Sequence, residues 1–218
     1  MARDSKKIVV GIDIGSQLTR VIVAEESVKL GYPPKIISIG YPESFGMRHG
    51  YVVSPRDATA SVSEAIRMAE KSSGVEIKRA YIALGGISLS SEIAGGAAGI
   101  ARPDGEVIDE DVHNVMTIAE QAFSSNKKNR KILHAIPLKY RLDGYEVMGN
   151  PIGMRGSRLE IRVVFVTVLE HHFNDIVSVV TEAGVDIIDV IAAPVAESMA
   201  TLTKKQKTQT QPIPFKKL

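Results

Sequence analysis

At 218 residues, 44% hydrophobic and 24% charged, the chain has the make-up of a globular protein with room for one large domain or two small ones. The absence of cysteine excludes disulfides, thiolate metal sites and a cysteine nucleophile, and the absence of Trp, with aromatics at 5%, argues against stacking platforms for single-stranded nucleic acid. The net charge of +2 rests on five lysines between Lys204 and Leu218, so the remaining residues are mildly acidic and no nucleic-acid partner is expected.

Ile8 to Asp13 reads as a buried strand, Thr19 to Ala24 as its hairpin partner and Lys35 to Tyr41 as a third strand. "SPRDATASVSEAIRMAEKSSG" is a helix. Ser54 stands at the N-cap, Pro55 in the first turn, Asp57 at the capping-box position, and Gly74 at the end. Ala58, Val62, Ala65, Ile66 and Ala69 form its apolar stripe. "RAYIAL" and "ISLSSEI" are strands around Gly85-Gly86, and the glycine-rich "AGGAAGIARPDGE" leads to a helix over 109–123. Asp109, Glu110 and Asp111 suit the positive end of that helix's dipole.

"KILHAIPLKYRLDGYEVMG" predicts two short strands turning at Asp143-Gly144, followed by the irregular loop "NPIGMRGSRLE". "LEIRVVFVTVL" is a long buried strand, "HHFNDIVSVVTEAG" a helix ending at Gly184, "VDIIDVIAA" a strand, and Pro194 begins a last helix through Thr203. The strand–helix alternation at this end suggests a parallel, covered sheet. Residues 204–218 are polar, proline-interrupted and expected to be disordered. "VVFVTVL" suits a buried strand rather than a membrane span, and the N-terminal apolar run is too short for a signal peptide, so a cytoplasmic protein is expected.

The turn in "KIVVGIDIGSQLTRVIVAEE" carries the chemistry. It is neither a Walker A loop, whose spacing is missing, nor a Rossmann turn, since a strand follows it. A tight hairpin can still present backbone N–H groups as an anion-binding concavity. Gly15 permits close backbone approach, and Ser16 and Gln17 supply N–H groups. Asp13 makes sense beside Mg²⁺, through water, because magnesium keeps its waters and accepts carboxylates. An ordinary Gly/Ser turn is the competing reading. Arg20 pairs with phosphate only if strand parity turns it the same way.

"GIDIGS" resembles the first phosphate loop of the actin, Hsp70 and sugar-kinase superfamily. The order of elements matches a ribonuclease-H-like half of such an ATPase. "GYPESFGMRHGYVVSP", "YIALGGISLSS", "GIARPDGEVIDEDVHNV", "RKILHAIPLKYRLDG" and "NPIGMRGSRLE" resemble, in this order, the FtsA family of bacterial cell-division proteins, over about 7–203. The resemblance implies an α/β, actin-like subdomain 1A (1–78 and 161–203) with an inserted SHS2-type module, domain 1C, at 79–160.

It also implies ATP and Mg²⁺ as ligands, with Asp13, Gly15, Ser16, Gln17 and Arg20 facing them. Self-association through the module, tethering of the FtsZ ring and recruitment of later divisome proteins follow from the same resemblance. So does a place on the cytoplasmic face of the membrane at the division site. The family continues into a second ATPase half and a membrane-anchoring helix, so the chain reads as a truncated member without efficient turnover. A sugar kinase, a chaperone ATPase and the pilus-assembly actin-like protein are the alternatives; no general base in a defined pocket supports a kinase. His171-His172 lacks the spacing of a zinc site and is expected to be a polar helix start.

Overall fold

The computed structural model describes residues 7–27, 32–124 and 129–202. These fall into two compact units, one from 7–89 and Leu169–Glu197, the other from Ser90–Val168 together with residues 198–202. In the first unit β1 (Ile8–Ile14) and β2 (Thr19–Glu25) form the expected hairpin, and β3 (Lys35–Gly40) adds antiparallel to β2. A small hairpin of β4 (Met47–Arg48) and β5 (Tyr51–Val52) precedes α1 (Pro55–Ser73). Then β6 (Arg79–Leu84) enters the main sheet parallel to β1.

Alternation along β1 sends Val10, Ile12 and Ile14 to one face and Gly11 and Asp13 to the other. The first set packs with Val21 and Val23 of β2, and α1 lies against β2 and β3 with Ala58, Val62, Ala65, Ile66 and Ala69 buried as its periodicity predicts. The approach is close. A Cβ on Gly40 would stand 2.0 Å from the Ala65 carbonyl oxygen, and the Ser38 hydroxyl donates to the Ala69 carbonyl at 2.8 Å.

Gly74 ends α1 in the left-handed conformation, φ 70°, its N–H bonded to the Glu70 carbonyl. The N-terminal cap is not the predicted one. The Ser54 side chain makes no capping bond, and its own N–H goes to the Gly46 carbonyl at 3.1 Å, so Asp57 has no donor to close a capping box.

The second unit holds β7 (Ser90–Gly99), α2 (Asp109–Ser124), β8 (Arg130–Leu142), β9 (Tyr145–Val147) and most of β10 (Arg158–Leu169). Its sheet runs β7-β10-β8-β9. Leu159, Ile161, Val163 and Phe165 of β10 face Val115, Ala119 and Phe123 of α2, with the Phe123 and Phe165 rings stacked at 4.7 Å. The chain returns to the first unit through α3 (Glu170–Glu182) and β11 (Asp186–Ala192); α4 (Ala193–Thr201) begins in that unit, and its residues from Ser198 on fall with the second. The main sheet is ordered β11-β6-β1-β2-β3, with β11 parallel to β6. This is the actin-like fold.

Four expectations need correction. The module does not begin at Arg79, because β6 hydrogen-bonds between β1 and β11 in the main sheet; it runs over Ser90–Val168 rather than 79–160. The glycine run 95–99 is not a lead-in to α2 but the second half of β7, paired with β10 from Arg158↔Gly99 to Thr167↔Ser90. β10, expected to start a parallel layer, lies antiparallel to β7, and only β11 is a parallel strand at this end. The turn at Asp143-Gly144 is present, with both φ positive, but β8 is 13 residues long rather than short. The predicted disordered segment 204–218 lies outside the described residues.

Candidate functional site

The β1–β2 tip is built by a short turn in which the Gly15 N–H donates to the Leu18 carbonyl at 3.1 Å. Glycine is required there, since a Cβ would stand 2.9 Å from that carbonyl oxygen. The turn is braced from beneath. Ser44 N–H donates to the Gln17 carbonyl at 2.9 Å, Thr19 N–H to the Pro42 carbonyl at 3.2 Å, and the Thr19 and Ser44 hydroxyls lie 3.0 Å apart. The Phe45 N–H donates to the Ser61 hydroxyl of α1, which ties the brace to the helix.

With Gln17 held by its carbonyl, the adjacent N–H groups of Ser16 and Gln17 are left at the exposed tip. Among the described residues neither donates a hydrogen bond. Two neighbouring free amides on a rigid turn are the donor arrangement that an anion needs.

Asp13 and Arg20 are direct cross-strand partners, on the face opposite to the one α1 covers. Arg20 Nη1 donates to Asp13 Oδ2 at 3.1 Å, with the Asp13 side chain 40% exposed. Burial pushes the Asp13 carboxyl above its ordinary value; the Arg20 pair opposes this, and Glu197 adds to the rise. The five residues singled out from the sequence thus cluster at one end of one hairpin: Gly15, Ser16 and Gln17 at the tip, Asp13 and Arg20 directly below it on the strands.

A single carboxylate already shared with an arginine suits an outer-shell contact to a hydrated cation better than direct chelation. Among the described residues no group of three or more His, Asp or Glu is placed to hold a metal ion.

The sequence reading missed a second contact to this tip. The Gly50 N–H of the β4–β5 turn donates to the Ser16 hydroxyl oxygen at 2.9 Å. The turn is signalled by His49-Gly50, both at positive φ (52° and 85°), the residue pattern of a two-residue hairpin. His172 also departs from the expected polar helix start. It is fully buried with Ile176, Val179 and Val180 on the inner face of α3, its Nδ1 bonded to the Ser88 hydroxyl.

Residues 88–167 match the model of the SHS2 domain inserted in FtsA. This range agrees with the second structural unit and not with the boundary expected at Arg79. The chain is 32% identical over 203 residues to the cell division protein FtsA of Borreliella burgdorferi, covering 93% of this chain and 48% of that protein. FtsA of Escherichia coli K12 is 31% identical (93% and 47%), and that of Enterococcus faecalis 31% (91% and 44%). The chain therefore spans about half the length of the curated relatives it matches. Among solved structures, a chain of the PilM-PilN type IV pilus biogenesis complex superposes with a TM-score of 0.59 at 12% identity, covering 89% of this chain and 50% of that one, a likeness of fold.

Proposed function

We propose that this chain, a relative of the FtsA cell division proteins over their N-terminal part, supplies the first phosphate-binding face of a nucleotide site in an actin-like scaffold of bacterial cell division. One observation carries the reading: the free N–H groups of Ser16 and Gln17 stand beside an acid–arginine pair on a braced hairpin. In this reading the amides and Arg20 receive phosphate oxygens. Asp13 orients the waters of a bound Mg²⁺, which would neutralise phosphate charge when present. A second half of the kind the FtsA resemblance implies closes over the base and the remaining phosphates.

The described hairpin is an open surface, where each polar contact competes with water. This chain alone should therefore bind Mg-ATP no more tightly than about millimolar, or roughly −4 kcal/mol. Calorimetry on the purified chain tests this, with amide shift mapping at Ser16 and Gln17 to locate the contact. Micromolar binding abolished by Asp13→Ala would mean that this face suffices; weak binding that leaves Ser16 and Gln17 unmoved would refute the site.

On the same reading the assembled scaffold tethers FtsZ, recruits later divisome proteins and works at the inner face of the membrane. Among the described residues no helix is long and apolar enough to cross one. Self-association is assigned to the SHS2 module. The expected edge "YIAL" is excluded, because it is central in the main sheet, whereas β7 is an edge strand exposing Ile93 at 53%. Ile93→Glu should weaken association in sedimentation, and deletion of 204–218 should not. Identity near 30% to division proteins, against 12% to the pilus structure, favours this reading over pilus assembly.

A further inference from the structure

His172 is a fully buried imidazole with one nitrogen satisfied and the other not. Nδ1 is bonded to the Ser88 hydroxyl, while among the described residues Nε2 has no hydrogen-bond partner. Neither tautomer cures this: with Nδ1 donating, Nε2 is a bare acceptor, and with Nδ1 accepting, Nε2–H is an orphan donor. A buried nitrogen left in this state costs stability and calls for an explanation beyond packing.

The ring's neighbours suggest its use. Tyr51 lies over it at 4.8 Å between ring centroids. Gly86 sits beside it, close enough that a Cβ there would be 3.5 Å from His172 Cε1 and 3.1 Å from the Gly50 Cα. In the reverse direction, a Cβ on Gly50 would be 2.6 Å from the Gly86 Cα. Two glycines at positive φ thus press the β4–β5 turn directly onto the wall that holds the imidazole. The far side of that turn is the Gly50 N–H that bonds the Ser16 hydroxyl. A continuous packed path runs from α3 to the hairpin tip within one unit of the fold.

We propose that His172 is a positioning residue for the Ser16 tip: its neutral ring holds the Arg48–Tyr51 turn in place, and gaining a proton draws Gly50 off the Ser16 hydroxyl. The groups facing the ring give the sign. Burial holds its pKa below the ordinary 6.5; the Gly50 backbone carbonyl and Asp175 favour the charged form, and His171 opposes it. Tyr51 is the other titratable group against it. With Nδ1–H donating to Ser88, the added proton goes to Nε2, and Gly50's carbonyl is the acceptor that this new N–H finds. The residue that anchors Ser16 is thus the one that protonation pulls on. Because the folded-state value is depressed, the neutral arrangement is fully present above pH 6.5 and is lost as the pH falls through the lowered value.

The importance of this device rests on the phosphate-site reading, but its test does not. Amide exchange of Gly50 is followed by NMR on the full 218-residue chain, without nucleotide, from pH 8 downward, while the His172 ring resonances report its titration. Corrected for intrinsic rates, Gly50 exchange in the wild type should rise by up to about tenfold per pH unit across the ring's titration. His172→Gln, neutral and polar, and His172→Phe, neutral and apolar, should both flatten that dependence. The same pH dependence in a folded variant, or a wild-type Gly50 amide that ignores the titrating ring, would overturn the proposal. If only His172→Gln folds, it decides alone. Failure of Mg-ATP to bind at any pH would count against the phosphate reading and leave the Gly50 result standing.

Discussion

Gly96 lies mid-strand in β7, opposite Ile161, at the point where the sheet of the SHS2 module meets α2. A Cβ there would stand 2.1 Å from the Val115 carbonyl oxygen and 2.7 Å from the Ala119 nitrogen. Both are helix backbone, so no side-chain rotation relieves the clash. To restore an ordinary contact the helix must retreat by roughly 1.3 Å, lifting Val115, Ala119 and Phe123 off Leu159, Ile161 and Phe165. Overpacking of this kind costs about 1–3 kcal/mol, against a gain below about 1 kcal/mol from restricting the unfolded chain. Gly96→Ala should therefore destabilise the module by about 2 kcal/mol.

Gly99→Ala, in the same strand, is the control. The nearest atom to its Cβ would be the Ser157 carbonyl oxygen at 3.8 Å, so it should be neutral or slightly stabilising. Urea unfolding read by circular dichroism, with hydrogen exchange over β7 and α2 to assign the transition to the module, measures both. A Gly96→Ala change within about 0.5 kcal/mol of the Gly99→Ala value would refute the claim that contact with the helix backbone requires glycine here.

Asp13→Asn should not destabilise the chain at neutral pH, because burial outweighs the Arg20 pair and holds the carboxyl above its ordinary 3.8. The ionised form is the costly one, so wild-type melting temperature should lose ground to the variant as pH rises from 3.8 through the raised value; a variant that loses ground instead would show the pair dominating. Asp143 is the opposite case. Its oxygens accept from the Ser157 N–H, the Ser157 hydroxyl at 2.6 Å and the Arg158 N–H at 2.9 Å, and these hold its pKa below 3.8. Protection of the Ser157 and Arg158 amides should be constant above pH 3.8 and fall as the pH drops through the lowered value, and Asp143→Ala should lose it at every pH; a pH-independent wild type would refute this.

What the sequence made legible was whatever local period determines. Alternation placed β1 and β2, and the 3.6-residue stripe placed α1 and its buried alanines. What it left open was set by partners distant in the chain. "RAYIAL" has the same apolar pattern whether it pairs in the main sheet or in the module, and only its bonds to β1 and β11 decide. The glycines of β7 have low strand propensity, yet ten consecutive pairs with β10 and the close approach of α2 make them a strand. Within the site, the tip residues were identifiable by type, but the side to which Arg20 turns depended on a register that only the Asp13↔Arg20 pairing supplies. His172 was misjudged because two adjacent histidines look polar, while the helix phase buries one of them.

On the phosphate-site reading, the Asp13–Arg20 pair also sets what the tip would bind. A bare phosphate drawn to Ser16, Gln17 and Arg20 must face the Asp13 carboxylate, and a bare cation drawn to Asp13 must face Arg20. Either ligand alone leaves one member of the pair uncompensated. Two like charges 4 Å apart repel by about 1 kcal/mol in water and about 4 kcal/mol near a protein surface, and this half-exposed site lies between those limits. A magnesium-bound phosphate offers both signs at once, the cation toward Asp13 and the anion toward Arg20. On the phosphate-site reading, amide shift titrations at Ser16 and Gln17 should therefore show Mg²⁺ tightening ATP binding by about tenfold or more, the equivalent of ~1.4 kcal/mol. In Asp13→Asn the repulsion is gone, so ATP without Mg²⁺ should bind better than to the wild type and added Mg²⁺ should change little. An undiminished response to Mg²⁺ in Asp13→Asn would mean that the metal acts only on the nucleotide, and Asp13 would then have no part in the site.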